Sequence, residues 1–581
     1  MPRKVAVVAG GLSYFSKARR DKTQEELAAE AARMALFDNN INLSKDDIDG
    51  TIVSYFSDHF ENQLLFGSII QDYLGFNPKP SVRIEGGGAT GGLAVRDAYA
   101  HVASGLLDVA MVIGFEKMSE VNTAKGNEFI ALASDTDWDF PIGGFYSGYY
   151  ALMAKRHMEE FGTTEEQMAM VAVKNRNNAQ HNKFAQTNPK MNPYAMKDGG
   201  KITVDDVLKS PYVAFPLKRL DICLMSDGAA VMILASEEKA KKITDTPIWI
   251  TGTGAGTDAM RAGDRPRTLA GVPMLPHEKK EWYKGLEYPG VHSFRAGRES
   301  ARQAYKMAGI TNPLKQLDLI ELHDAYTSSE IQTYEDLGLT KYGQGGKLIE
   351  EGVTALDGDL PVNPSGGLIG AMHAVGATGV MQGVEMFWQL QGVAGKFHGS
   401  DKTQIKGAER GLIHSHAGTG NLCNGYYNGE VKEMTEVYSF DPLIIKTPYE
   451  ITYKHSYGKT TKFFTSLSDG KLMATRCDHC KQTFLPPRSD CPYCLRETKW
   501  VQISGKGRIH TFTTLYFSGE KFLKDLPFQL VYVELEGVDT LFLTRLKTKD
   551  MKRVKVGMKI KMKISREPEW RSSDIWAEPD E

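Results

Sequence analysis

Four cysteines, Cys477, Cys480, Cys491 and Cys494, sit close together in "CDHCKQTFLPPRSDCPYC". Two C-x2-C knuckles at this spacing let four thiolates converge tetrahedrally, which suits zinc. A shell closed by four thiolates leaves no open position, so a structural and not a catalytic zinc is expected. His479, inside the first knuckle, is surplus to that shell and is expected to face solvent. Histidines in two other stretches have a different setting. His323 and Asp324 end an apolar strand just before a helix, in "LDLIELHDAYTSSEIQTYEDLG", and His373 lies in a glycine-rich turn that opens a helix, in "NPSGGLIGAMHAVGATG". A histidine so placed can hold a carbonyl oxygen or move a proton. Backbone N–H groups of such turns can stabilise a developing oxyanion. A third stretch, "SHAGTGNLCNGYYNGEV", gathers Gly418, Gly420, Cys423, Tyr426 and Tyr427 on a turn and strand. A fourth, "VRIEGGGATGG", puts Gly86, Gly87 and Gly88 at the mouth of a helix, where a reactive side chain is commonly presented and none is found.

The elements that must position these groups alternate. "KVAVVAGG", "GTIVSYF", "DVAMVIGF", "AAVMILAS", "IWITGTGAG" and "LDLIELHDAY" read as strands, with amphipathic helices such as "TQEELAAEAARMALFDNN" between them. Several strands are apolar without alternation, as in a sheet covered on both faces. This is an α/β body with layered helices. "GGGATGGLAVRDAYAHVASG" and "MHAVGATGVMQGVEMFWQLQG" echo one another as glycine turn followed by helix, which suggests a duplicated unit. The texture changes near residue 436: a polar linker and helix over 436–468, the cysteine ribbon over 469–500, then short alternating strands over 501–581 that fit a small barrel.

A chain of 581 residues is too long for one core. A net charge of −2 gives no bias toward nucleic acid. The amino-terminal apolar run is too short for a signal, and no apolar run is long enough to span a membrane, so a cytoplasmic location is expected.

Residues 3–432 resemble the thiolases, specifically the sterol-carrier-protein-type and archaeal branch. The resemblance rests on "VASGLLDVAMVIGFEKMSE", "MSDGAAVMILAS", "ELHDAYTSSEIQTYEDLG", "NPSGGLIGAMHAVGATG" and "QLQGVAG". Residues 436–581 resemble the zinc-ribbon and OB-fold domain that accompanies such proteins. The resemblance implies a five-layered αβαβα body of two similar halves, about 1–245 and 246–435, forming a homodimer. It also implies a coenzyme A thioester as substrate, with the OB-fold domain helping to hold it.

Carried over residue by residue, His323 matches the oxyanion-hole histidine and His373 the histidine that activates the nucleophile. The departures carry as much weight. Gly88 stands where the nucleophilic cysteine belongs, Ala325 replaces a second cysteine, and Ala374 replaces a proline. The glycine is expected to open space that admits substrate. Cys223 reads as structural. Cys423 falls roughly where other thiolases keep an acid/base cysteine. Tyr326, Tyr426 and Tyr427 sit at or beside the catalytic loops, and tyrosines are implicated in proton transfer in the similar steroid side-chain aldolases. The expected catalytic set is therefore His323, His373, Tyr326 and Cys423, with Gly88, Gly420, Asp324, Tyr426 and Tyr427 on the substrate loops.

Without a thiolate at position 88, transfer through an acyl-enzyme lacks its acceptor. Retro-aldol cleavage of a 3-hydroxyacyl-CoA, or its reverse, is the first reading. A thiolase-type acyltransferase and a non-catalytic acyl-CoA-binding module are the alternatives. An acyl-CoA hydratase or dehydrogenase is the partner class such a lyase implies.

Overall fold

The computed structural model describes residues 3–39, 41–265, 272–283, 290–418, 421–425, 457–494 and 496–580. Its first sheet has six strands: β1 (Val5–Leu12), β2 (Gly50–Ser54), β3 (Ser81–Ile84), β4 (Val109–Lys117), β7 (Asp227–Ser236) and β8 (Ile248–Trp249). They run in the order β3-β2-β4-β7-β1-β8, parallel across β3-β2-β4 and antiparallel beyond. Every residue of β1, β4 and β7 is buried, which is why these strands read as unbroken apolar runs. The second sheet orders β10 (Leu319–Leu322), β11 (Gly411–Ala417), β12 (Asn421–Gly425) and β9 (Thr253–Thr257).

Two central helices, α2 (Thr90–Ser104) and α5 (Val375–Leu390), lie between the sheets. All of α5 is buried, as expected of a helix that is covered all round. The helices cross where Gly91 meets Gly379: a Cβ on Gly91 would lie 2.6 Å from the Gly379 nitrogen. These are equivalent positions of the two echoing ATG turns, so the repeated motif is the close contact that joins the halves. Helix α1 (Gln24–Phe37) covers the outer face of the first sheet, started by a capping box between Thr23 and Glu26. Helix α4 (Arg295–Ala308) covers the second sheet over β9 and β12. The five layers are those of the expected αβαβα body.

After helix α6 (Thr461–Ser468) comes a three-stranded ribbon of β13 (Met473–Arg476), β14 (Thr483–Phe484) and β15 (Lys499–Gln502). A five-stranded barrel follows, of β16 (Lys506–Leu515), β17 (Phe528–Leu535), β18 (Leu541–Leu546), β19 (Lys559–Ile564) and β20 (Ile575–Pro579), closed by pairing of β16 with β17.

The barrel is joined to the body by backbone pairing. β5 (Tyr212–Ala214), extended by β6 (Leu217–Lys218), adds to the barrel edge where Ala214 pairs with Leu515. The barrel also packs on helix α3 (Tyr146–Phe161): Thr511 Oγ1 donates to the Leu152 carbonyl at 3.0 Å, and Leu515 and Leu530 approach Gly148. Arg545 donates to the Ile142 carbonyl at 2.7 Å and stacks on Phe528. Among the described residues, no helix is long and apolar enough to cross a membrane.

Candidate active site and metal centre

His323 follows the last residue of β10, and His414 and His416 lie on the neighbouring strand β11. Their i, i+2 spacing puts both on one face of that strand. Between them Ser415 donates to Gln382 of α5 at 2.7 Å, and Gln382 donates to the His414 carbonyl at 3.0 Å, which fixes the strand on the central helix. The His323 ring centroid is 4.8 Å from that of His416 and 5.1 Å from that of His373. His323, His414 and His416 are buried, whereas His373 and Gly88 are half-buried, so the cluster opens to solvent on their side.

Burial holds all four imidazoles in the neutral form. His373 is lowered to about 4 and His414 to about 3. His323 is pushed well below the ordinary range by burial and by the neighbouring histidines. His416 is lowered by burial, by His414 and by the Arg265 guanidinium.

The hydrogen bonds fix two tautomers. Thr378 donates its hydroxyl proton to the Ala374 carbonyl at 3.0 Å, so it accepts from His373 Nδ1 at 2.9 Å. The His373 Nε2 lone pair is then left to take a proton. The hydroxyl of Tyr150, on α3, meets His416 Nε2. Burial keeps that phenol protonated, so it donates and the His416 proton sits on Nδ1. Among the described residues, His416 Nδ1 has no hydrogen-bond partner, nor has His323 Nδ1. A buried N–H without a partner is costly in a folded protein and stands ready for an acceptor oxygen.

Gly88 lies against this cluster. A Cβ there would be 2.5 Å from the His416 carbonyl oxygen and 3.2 Å from the His323 ring. The expected open space is therefore filled by protein, which corrects that expectation. The turn is held by Thr90, whose hydroxyl donates to the Gly87 carbonyl at 2.6 Å and accepts from the Gly86 N–H at 2.9 Å.

Tyr326 is buried beside the site, stacked on Tyr150 at 4.1 Å and bonded through its hydroxyl to Ser147 at 3.1 Å. Asp324 turns the other way. Its carboxylate accepts from Leu368 N, Ile369 N and Asn175 Nδ2, anchoring the helical turn Gly367–Ala371 that leads to His373. Burial raises Asp324 to about 7. Cys223 lies close to Tyr326, its N–H bonded to the Ala325 carbonyl, and its thiol is pushed up by burial and by Asp324, so it offers no thiolate. It donates that N–H at 2.9 Å. Cys423 is placed by its backbone alone, opposite Ser415 in the β11–β12 ladder. Gly420, Tyr426 and Tyr427 lie outside the described residues.

Sequence reasoning missed Tyr150, His414, His416 and Glu116. The alternation in "LIHSHA" at the end of an apolar strand was a readable signal for the histidines. Glu116 carried none. It lies one residue before the end of β4, buried, accepting from the N–H groups of Phe56, Ser57 and Gly376, and burial raises it to about 8 despite those bonds. Through Gly376 it ties the His373 turn to the first sheet.

In the ribbon, the ligand atoms of Cys477, Cys480, Cys491 and Cys494 lie within 4.8 Å of one another. The Cys480 and Cys491 sulfurs are 3.5 Å apart. Zn–S bonds of about 2.3 Å in tetrahedral array bring sulfurs to comparable separations, so the four residues fit a structural zinc. His479 is exposed, and its Nδ1 lies 3.3 Å from the Cys494 sulfur, outside the ligand set.

The sequence pattern of the thiolase N-terminal domain matches residues 5–238, and that of the thiolase C-terminal domain-like family matches residues 286–423. An acetyl-CoA acetyltransferase of Methanothermobacter thermautotrophicus is 37% identical over 424 residues, which are 72% of this chain and 98% of that protein. The chain belongs to the thiolase family. The chain carries, in addition, matches to the ChsH2 rubredoxin-like zinc ribbon at residues 464–500 and the ChsH2 C-terminal OB-fold domain at residues 500–565. Human sterol carrier protein 2 is 31% identical over 427 residues, covering 71% of this chain and 70% of that protein. Among solved structures, the Ltp2-ChsH2(DUF35) aldolase shares the fold at a TM-score of 0.57 and 23% identity, covering 73% of this chain and 98% of that one.

Proposed function

We propose that the protein cleaves the C2–C3 bond of a 3-hydroxyacyl-CoA by a retro-aldol reaction, or forms it in reverse, without an acyl-enzyme. The observation that carries this reading is the packing at Gly88: the family's nucleophile position holds no thiol and has no room for a Cβ. The acceptor needed for acyl transfer is absent, while the histidine cluster that serves a thioester enolate is kept.

In this reading the thioester oxygen lies toward His323 and the Nδ1–H of His416. His373 Nε2 takes the proton of the C3 hydroxyl, C3 becomes a carbonyl, and the C2–C3 electron pair passes into an enolate. The enolate oxygen is stabilised by N–H groups already oriented and shielded from water. Protonation at C2 releases the shorter acyl-CoA and an aldehyde or ketone. Tyr150 fixes the His416 tautomer. Cys423, Gly420, Tyr426 and Tyr427 keep their expected places on the substrate loops in this proposal, as do a homodimer and a hydratase or dehydrogenase that supplies the hydroxy ester.

The Ltp2-ChsH2(DUF35) aldolase, which shares the fold, and this chain's own matches to ChsH2 domains support this reading. The acetyl-CoA acetyltransferase relatives favour acyl transfer as the second one. Incubation with CoA esters of 3-hydroxy and of 3-oxo acids separates them by mass spectrometry of the products. Release of a carbonyl compound from the hydroxy ester without added CoA supports the lyase. CoA-dependent cleavage of the 3-oxo ester overturns it.

A further inference from the structure

Arg176 is 5% exposed, yet its guanidinium makes no hydrogen bond or ion pair among the described residues. A buried cation is ordinarily paired. Elsewhere in this chain it is: Arg19 meets Asp21 and Glu30, and Arg298 meets Glu278. Arg176 Nε is enclosed without an acceptor, which is a standing cost. Nη1 and Nη2 are neither enclosed nor bonded, so this end of the fork is open to solvent and to a ligand.

The side chain is held by its own helix and the segments packed on it. Arg176 lies on the helix Glu165–Ala179, on the face that also carries Ala169 and Ala172. Val207, Leu220 and Ile369 pack on those alanines, from the helix Val204–Lys209, the short turn Arg219–Asp221 and the turn Gly367–Ala371. Ile202 is pinned beside Arg176 by two bonds with the Asn177 side chain, at 3.0 and 3.3 Å.

A second cation comes from the same packing. Arg219, the first residue of its turn, is exposed and has no ion pair among the described residues; only its backbone N–H is bonded, to the Pro211 carbonyl. Burial, and then the Arg219 guanidinium, lower Arg176 to about 10. Asp198, exposed, is the acid that acts against this, and it forms no ion pair with Arg176. Two guanidiniums brought together without a carboxylate between them are arranged for an anion that the protein does not itself supply.

The place of the pair bears on which anion. Asn175, the preceding residue, bonds Asp324 beside His323, and the Gly367–Ala371 turn leads to His373. The pair therefore stands outside the reacting cluster but on the elements that build it. The groups that a coenzyme A thioester carries away from its thioester are phosphates, and its 3′-phosphate is a monoester, close to a dianion at neutral pH.

We propose that Arg176 and Arg219 form a binding site for a phosphate dianion, either the 3′-phosphate of coenzyme A or free phosphate. The first source rests on the coenzyme A thioester as substrate; the site itself does not, and neither depends on the direction of the chemistry.

The test is calorimetric titration of the full chain with coenzyme A, 3′-dephospho-coenzyme A and inorganic phosphate. Wild type is expected to bind coenzyme A at least about tenfold more tightly than the dephospho form, as for a charge-assisted phosphate contact. The ratio should fall toward one in Arg176→Gln and drop in Arg219→Gln, with affinity for the dephospho form unchanged. Arg219→Gln changes an exposed side chain, so it keeps the test valid if Arg176→Gln does not fold. A wild-type ratio near one, with inorganic phosphate bound by wild type and not by Arg219→Gln, supports the site and assigns it to the free anion. An equal ratio above one in wild type and both variants overturns the site, as does a ratio near one without phosphate binding. If neither nucleotide binds, the coenzyme A reading fails on its own and the inorganic phosphate titration decides the site.

Discussion

The carbonyl oxygen of His416 stands 2.5 Å from the point where a Cβ on Gly88 would be, and the His323 ring closes the same space at 3.2 Å. Restoring a cysteine at position 88 therefore collides with a backbone atom that cannot rotate away. Gly88→Ala and Gly88→Cys should each lower stability by about 1–3 kcal/mol, as overpacking does. Chemical denaturation would show it. Gly88→Cys should also gain no acyl-enzyme when incubated with a 3-oxoacyl-CoA, and a stable acylated peptide in the mass spectrum would contradict the proposed chemistry.

His323→Ala and His373→Ala should each lower turnover at least about tenfold, the scale of one proton-transfer or oxyanion-binding group. His373 also predicts a pH dependence. Its native pKa of about 4 lies below the unfolded value of 6.5, so between them only the unfolded chain binds the proton. The stability due to this neutral group is present above pH 6.5 and is lost as the pH falls toward 4. His373→Gln should accordingly lose less stability than wild type between pH 6.5 and 4.5, read as a smaller shift of the urea midpoint. In the same way, kcat/KM of the wild type should show no limb near 6.5 from this residue.

Tyr150→Phe removes the hydroxyl that meets His416 Nε2 while keeping the ring that stacks on Tyr326. Activity should fall about tenfold or more through a lower kcat, with little change in KM, because the tautomer that places a proton on His416 Nδ1 is no longer enforced. Tyr326→Phe loses only the bond to Ser147 in the described structure. A larger loss in Tyr326→Phe than in Tyr150→Phe would exchange their roles.

Cys477→Ser or Cys494→Ser, like a strong chelator, should unfold the ribbon before it touches the chemistry, since the binding energy of a structural zinc is folding energy. Metal content, circular dichroism and turnover followed together should show zinc loss and ribbon unfolding first. Activity should then decline only as the barrel loosens from α3. Immediate loss of turnover with an intact ribbon would point to a catalytic metal.

The layered body was legible because its strands are buried on both faces and so carry uninterrupted apolar residues, as in "KVAVVAGG" and "AAVMILAS". The four-cysteine ribbon was legible because its ligands come from two local knuckles. His323 and His373 were found because each lies at a strand end or helix-opening turn. His414 and His416 carried a local signal in the alternation of "LIHSHA", but the partnership of His416 with Tyr150 spans 266 residues and no local pattern reports it.

The sequence by itself determined the fold, the metal ligands and the absence of a thiol at position 88. Only the tertiary structure decided what that absence means. Gly88 was expected to leave an opening, but β11 and β10 bring the His416 carbonyl and the His323 ring into it. Asp324, next to His323 in the chain, turns instead to the backbone of Leu368 and Ile369. The reason is geometric: residue types and local spacing set which groups can do chemistry, but burial, tautomer and free space are properties of atoms brought together from distant parts of the chain.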